Sequence, residues 1–364
     1  MKLRVVALGG LLAAALFATM LPPAVRADGG DAAYTFDAAR RSTIVDNVKA
    51  ALGSYIYPQM TQEMRARLDQ DRAKLVAQTD EIAFGKAVSA SLQSVAHDKH
   101  LNLLYFEHGA PKEDPNTDAT PSPAELAEES QSDAVHNGGI RGSYWLPGNI
   151  GYINLRGFPG GTDGTKSSID AAMATVANTD ALIIDLRRNG GGDPDSLDYW
   201  MGYFFQKPTE LTSIHWITPK PHVDRQFSAE HVTGKYYGKP IYVLTSSKTF
   251  SCAEQFAYDM QSTHRATLVG ETTGGGANPG AFNRLDDRFA VFVPTGRAYN
   301  PYTHTNWEGV GVKPEVQAAA ADALVQAYTL ALKNSTNTAA ELPDERADVL
   351  KDPAGVLKQI FPQT

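Results

Sequence analysis

The stretch "KPIYVLTSSKTFSCAEQFAYDM", Lys239–Met260, decides the fold. Ile241–Leu244 is a continuous apolar run with no alternation, as expected of a strand covered on both faces in a parallel sheet. From Ser251 onward the apolar spacing becomes helical. The unit therefore reads as strand, hydroxyl-rich turn, helix. Ser251-Cys-Ala-Glu254 fits the S-x-x-E capping box, which starts a helix without any chemistry. The same position also suits a nucleophile. It lies at the C-terminal end of a strand, where α/β sheets place their ligands. The helix N-terminus adds free amides and partial positive charge. The Cys252 amide would then face an oxyanion formed on attack by Ser251. Local pattern alone leaves cap and nucleophile both open.

Outward from this unit, strands and helices alternate. "GNIGYINLRGF" reads as a strand, "TKSSIDAAMATVANT" as a helix, and "ALIIDLRRNGGG" as a buried strand entering a glycine turn. "DSLDYWMGYFF" reads as a helix, while "ATLVGETTGGG" and "RFAVFVPTGRAY" are expected to continue the sheet. This order predicts an α/β core with parallel pairing over residues 140–334, closed by the helix "EVQAAAADALVQAYTLALKNS". Upstream, "STIVDNVKAALGSYIY", "TQEMRARLDQDRAKL" and "TDEIAFGKAVSASLQSV" have helical spacing, with Thr79 and Asp80 as helix-start residues. They predict a small N-terminal helical domain over 28–107. Residues 108–139 are rich in Pro, Asp, Ser and Glu and read as a polar linker or flexible insert. Residues 335–364 read as a polar tail with a weak apolar cluster at "VLKQIF".

The chain has 364 residues, 42% of them hydrophobic, enough for a large core. Residues 1–27 read as a signal peptide: Lys2 and Arg4 precede the apolar "VVALGGLLAAALFATML", and Val25 and Ala27 supply small residues for cleavage. No later stretch is long and apolar enough to cross a bilayer, so the exported product, periplasmic or secreted, is expected to keep no stable membrane span. Net charge is −8, and losing Lys2, Arg4 and Arg26 makes the remainder more acidic. Without a basic run, nucleic acid is an unsuitable partner. The single cysteine, Cys252, excludes an internal disulfide. No CxxC or HExxH occurs, so neither a metal nor another cofactor is expected.

Four further segments appear in order: "DLRRNGGGD" (Asp185–Asp193), "SSKTFSCAEQFA" (Ser246–Ala257), "LVGETTGGG" (Leu268–Gly276) and "WEGVGVKPEV" (Trp307–Val316). Together they resemble the tail-specific, or C-terminal processing, serine peptidases. "HDKHLNL" (His97–Leu103) is similar to the branch containing the tricorn core protease and the interphotoreceptor retinoid-binding protein repeats. The resemblance covers residues 35–335. It implies a ClpP/crotonase-like sheet-and-helix core behind the helical domain, with Ser251 as nucleophile.

One arm of that family uses a serine–lysine dyad, and its lysine position falls on Gly276 here. The other arm takes its base from an upstream histidine and a glutamate from a later loop. His100 and Glu308 match those places, so the resemblance implies Ser251, His100 and Glu308 as the catalytic set. Histidine suits proton transfer near neutral pH. Where tricorn has a serine just before its histidine, this chain has Lys99, which leaves a fourth relay member open. The oxyanion donors implied are Cys252 with Gly190 or Gly191. Asp185 and Asn189 are expected to brace the glycine turn, and Arg187 or Arg188 could meet a substrate carboxylate. His97 and His304 are alternative bases, His264 suits a helix C-terminus, and Glu254 suits a cap.

No PDZ module is expected, because only the polar 108–139 segment lies where the family often carries one. The implied activity is hydrolysis of peptide bonds in peptide or polypeptide substrates. The alternative is a catalytically silent relative binding an apolar, retinoid- or lipid-like ligand. Because the base comes from the helical domain and the nucleophile from the core, a core lacking residues 28–105 is expected to fold but not to react.

Overall fold

The structure, a computed structural model, describes residues 34–111, 123–217, 220–224, 226, 236–337, 339 and 342–362. The expected signal peptide lies outside the described residues. Helices α1 (Ala38–Ala51), α2 (Pro58–Val76) and α3 (Glu81–Ala96) lead into β1 (Asn102–Tyr105) and α4 (Pro123–Val135). Next come β2 (Ile140–Leu146), β3 (Ile150–Leu155), α5 (Asp163–Val176), β4 (Ala181–Asp185) and α6 (Pro194–Met201). The chain continues through β5 (Ser213–Trp216), β6 (His222–Asp224), β7 (Ile241–Thr245), α7 (Cys252–Ser262) and β8 (Thr267–Gly270). It ends with β9 (Gly280–Arg284), β10 (Phe289–Pro294), β11 (Gly296–Tyr299), β12 (Val316–Gln317), α8 (Ala323–Asn334), α9 (Leu342–Val349) and α10 (Pro353–Ile360).

The central sheet has the order β12-β8-β7-β4-β3-β2. Its strands run parallel except for the antiparallel β2–β3 pair. β4 and β7 are buried at every residue, as their unbroken apolar runs require. Helices cover both faces: Phe256, Ala257 and Met260 of α7 pack on one side, and Ala327, Tyr328 and Ala331 of α8 on the other. The α/β class is as the sequence indicates.

Three expectations are corrected. "RFAVFVPTGRAY" does not continue the central sheet. β10 sits between β1 and β9 in one antiparallel sheet, and β11 pairs with β5 in another. Pro294 ends β10, and Thr295 separates it from β11. Within the 108–139 segment, α4 forms a helix held on α5, where Asp133 accepts from the Thr162 and Thr165 hydroxyls at 2.7 and 3.0 Å. The stretch beyond 334 folds back: Val349 and Leu357 are buried in the α8 cluster, and Arg346 forms a buried ion pair with Asp180 at 2.5 Å.

The helical region is also less separate than the sequence suggests. β1 pairs with β10 along four residues, and Phe289, Val291 and Val293 are buried among Ile44, Val48, Phe84, Val88 and Leu92. α3 is capped by Asp80, whose carboxylate accepts from the Ala83 amide at 2.7 Å. It stops at His97, in the left-handed conformation with φ 54°. A tight turn over Asp98–Leu101 then carries His100 toward the end of the central sheet.

Candidate active site

The hydroxyls that end β7 stitch the turn to its neighbours. Ser246 Oγ donates to Arg187 O at 2.5 Å, and Thr249 Oγ1 to Leu186 O at 2.8 Å. Thr245 Oγ1 donates to Glu271 O at 2.8 Å. The Phe250 amide reaches Asn189 O at 3.0 Å. Each such bond contributes about 1 kcal/mol net, and together they hold Ser251 on rigid backbone. That backbone is forced: Ser251 has φ 55° and ψ −125°, a conformation that side-chain-bearing residues rarely adopt. A plain helix cap has ordinary extended angles. Gly191 stands directly against this turn, where a Cβ would lie 2.7 Å from Ser251 Cβ and 3.0 Å from the Cys252 amide nitrogen.

Glu254 is the capping acid and also a clamp. Its buried carboxylate accepts from the Ser251 amide at 2.9 Å, the Gly276 amide at 2.8 Å, the Gly275 amide at 2.6 Å and Thr273 Oγ1 at 2.5 Å. Burial pushes its pKa up to about 7 against the pull of these donors. Glu254 thereby fixes the glycine loop after β8 to the serine turn. Trp307 Nε1 locks the same loop, donating to Gly276 O at 2.7 Å.

His100 sits over that loop. The Asp98 carboxylate makes the turn by accepting the His100 amide at 2.9 Å, an Asx turn. His100 is 8% exposed, and its ring packs against Phe250, centroids 4.6 Å apart. A Cβ at Gly276 would meet His100 Cε1 at 2.7 Å and Phe250 Cζ at 2.3 Å. The imidazole thus fills the space above the position where the dyad arm of the resembled family carries lysine. Burial lowers the pKa of His100, partly countered by the charge of Asp98. Neither imidazole nitrogen has a hydrogen-bond partner among the described residues, so the ring is adjacent to the Ser251 turn without being bonded to its hydroxyl.

Glu308 joins the same cluster. Its Oε2 accepts the Ala277 amide at 2.6 Å, while Oε1 is buried without a partner. Burial, with the nearby Asp98 charge, raises its pKa to about 8. Donor atoms of Asp98, His100 and Glu308 all lie within 4.8 Å of one another. His100 Nδ1 is 3.8 Å from Asp98 Oδ1.

Of the expected oxyanion donors, Cys252 at N1 has no intrahelical acceptor for its amide. The Gly191 amide donates to Asn189 Oδ1 at 2.9 Å and is therefore engaged. Gly190 has open space where a side chain would be. Burial pushes the Cys252 thiol well above its ordinary range, in keeping with a packed apolar role. Arg187 is committed to Asp185 at 2.7 Å and to Ala320 O at 2.6 Å, so it is not free for a substrate carboxylate. Arg188 is exposed. His97, His264 and His304 are exposed, each with positive φ; His264 stands past the end of α7, and His304 binds the Tyr299 hydroxyl. Lys99 donates to Gly274 O at 2.5 Å and so ties down the glycine loop.

Asp98 and Phe250 escaped the sequence reading. Asp98 carried a signal, a carboxylate two residues before the candidate base.

Residues 149–318 match the profile of peptidase family S41. Ser251, Cys252, Gly190, Gly191 and Glu308 fall inside the S41 match, whereas Asp98 and His100 precede it. The chain is 29% identical over 181 residues to a carboxy-terminal-processing protease of Bartonella bacilliformis, covering 48% of this chain and 39% of that protein. It thus spans about two fifths of that relative's length. A lipoprotein structure from Streptococcus agalactiae shares the fold, with TM-score 0.51 and 18% identity over 88% of this chain and 100% of that one. The tricorn protease structure aligns at TM-score 0.46 with 13% identity, over 79% of this chain and 35% of that one.

Proposed function

We propose that this chain is a serine peptidase that hydrolyses peptide bonds with Ser251 as nucleophile and His100 as general base. The observation that carries this reading is the strained Ser251 backbone at the strand-to-helix turn. Such strain raises the hydroxyl out of the turn toward substrate, as in nucleophile elbows elsewhere. His100 takes the Ser251 proton as Oγ attacks the scissile carbonyl. Catalytic hydrogen bonds are often long before substrate binds, so the unpartnered ring is compatible with this step. The Cys252 and Gly190 amides receive the developing oxyanion. His100 then returns the proton to the leaving amine, and water reverses the sequence to release the acyl group.

The glycine at 276 and the imidazole packed over it favour the histidine arm over the lysine dyad. The silent, apolar-ligand alternative finds less support. A cavity of about 400 Å³ between the helical region and the core has a mixed lining that includes Tyr55, Tyr57, Met60, Asp98, Asn278 and Glu308, so the choice rests on the serine and histidine rather than on the cavity. Export to the periplasm or medium is proposed from the N-terminal 27 residues; no described helix is long and apolar enough to cross a membrane. Substrates are taken to be peptides or polypeptides.

Fluorophosphonate labelling together with cleavage of an unfolded test protein tests the reading. The wild type should label and cleave, and Ser251→Ala should do neither while keeping its circular dichroism. Cleavage by Ser251→Ala at the wild-type rate would remove Ser251 as nucleophile.

A further inference from the structure

His100 needs a partner that holds its ring and stabilises its cation, and two carboxylates compete for the task. Their surroundings differ. Asp98 is an acceptor in every contact it makes. Its Oδ1 takes the His100 amide at 2.9 Å, and its Oδ2 takes Asn278 Nδ2 at 3.0 Å and the Tyr55 hydroxyl at 3.2 Å. Three converging donors hold this carboxylate in place and occupy it as an acceptor. Glu308 Oε2 takes the Ala277 amide at 2.6 Å, the Asn278 amide also faces the carboxyl, and its buried Oε1 has no partner among the described residues. Protonation supplies that oxygen with a hydrogen to give, and an Asp98 carboxylate oxygen lies within 4.8 Å of a Glu308 carboxyl oxygen. Two buried carboxyls this close do not both ionise readily, so one proton divides them by role.

We propose that ionised Asp98 orients His100, and that Glu308 stands beside it as a neutral acid donating its proton toward Asp98. This rests on the reading of His100 as the base and reassigns the positioning role that the resemblance gave to Glu308. The raised pKa of Glu308, about 8 through burial and the Asp98 charge, agrees with it. The other titratable groups facing the two carboxyls are the Tyr55 and Tyr57 hydroxyls between α1 and α2 and Glu254 beneath the glycine loop, with the exposed Lys99 ammonium held on Gly274 O. Asp98 is the only one of the charged groups that faces Nδ1 within 4 Å. It is a positioning residue, acting through His100 rather than on substrate.

The test uses the full chain. In a Ser251→Ala background with labelled histidine, the His100 titration is followed by NMR. Asp98→Asn should lower its pKa by about one unit or more, whereas Glu308→Gln should move it far less. With Ser251 intact, Asp98→Asn should cut kcat by about 100-fold or more with little change in KM. Glu308→Gln, which keeps a neutral hydrogen-bonding group of the same shape, should lose less than about 10-fold. An infrared difference spectrum at pH 7, wild type minus Glu308→Gln, should show the carbonyl band of a protonated carboxyl, and this readout survives even if Asp98→Asn does not fold. Absence of that band, or a Glu308→Gln loss equal to that of Asp98→Asn, overturns the proposal. Activity surviving in Ser251→Ala would instead remove Ser251 as nucleophile, and a wild type that cleaves nothing would refute the peptidase reading.

Discussion

Gly276 lies directly beneath His100: a methyl group on its α-carbon would stand 2.7 Å from the imidazole Cε1. Glycine at this position is therefore a requirement of the histidine's placement. Gly276→Ala would push into His100 and into Phe250 Cζ at 2.3 Å. The expected result is a kcat reduced by about 10- to 100-fold through a misplaced base, with little loss of thermal stability. Steady-state kinetics beside a melting curve checks it. Unchanged kcat would show that the ring moves without consequence.

The rate should rise with pH as His100 loses its proton. Burial depresses its pKa, so the neutral base form persists to lower pH than for an exposed histidine, whose ordinary value is 6.5. The acid limb of kcat/KM is expected at or below that value. A limb that climbs only above about pH 9 would point to a lysine base instead.

Removing the Glu254 carboxylate should unfasten the glycine loop. Glu254→Ala leaves the Ser251, Gly275 and Gly276 amides and the Thr273 hydroxyl without their acceptor. Buried donors left unpaired cost about 1–3 kcal/mol each, so a loss of about 3 kcal/mol or more is expected even with some rehydration. Urea denaturation measures it. A loss below about 1 kcal/mol would show that water replaces the carboxylate.

The α/β core and Ser251 were legible because β4, β7 and α7 announce themselves locally, through unbroken apolar runs and a change to helical period. The placement of β10 and β11 was not. Their partners, β1 and β5, are distant in sequence, and no local period encodes which edge a strand joins. α9 and α10 were hidden by polarity, since each buries few side chains, such as Val349 and Leu357. Asp98 looked like an ordinary turn residue. Its second oxygen finds Tyr55 and Asn278, 43 and 180 positions away, which only the folded chain brings near.

Stability should fall as pH rises through neutrality, and Asp193 isolates the effect. Burial raises its pKa to about 8 from an ordinary 3.8, with Asp195 the next contributor. For an acid raised on folding, the native state holds a proton that the unfolded state has already lost. Stability from this group is thus full below the unfolded value, is lost as pH climbs, and levels off above about 8. Asp193 caps α6 by accepting the Asp195 amide at 2.7 Å, a bond that asparagine can also make. Asp193→Asn should therefore raise the melting temperature markedly more at pH 8 than at pH 5. Equal effects at both pH values would show that Asp193 is ionised throughout.

The last prediction concerns the helical region as a structural part of the site. Phe289, Val291 and Val293 on β10 are fully buried, and their cover comes from Ile44, Val48, Phe84, Val88 and Leu92. β1 occupies one edge of β10, and the Ile56 amide donates to Pro294 O at 2.8 Å. Deleting residues 28–105 would bare this apolar face and open the edge of β10 to other chains. The expectation that the core folds alone then gives way: the shortened chain should aggregate or bind a hydrophobic dye strongly, and label poorly with fluorophosphonate. Light scattering, dye binding and labelling on one sample separate the cases. A monodisperse, dye-silent core that does not label would show that only His100 was lost. A monodisperse core that labels fully would place the base within residues 106–364, with His304 or His264 as candidates.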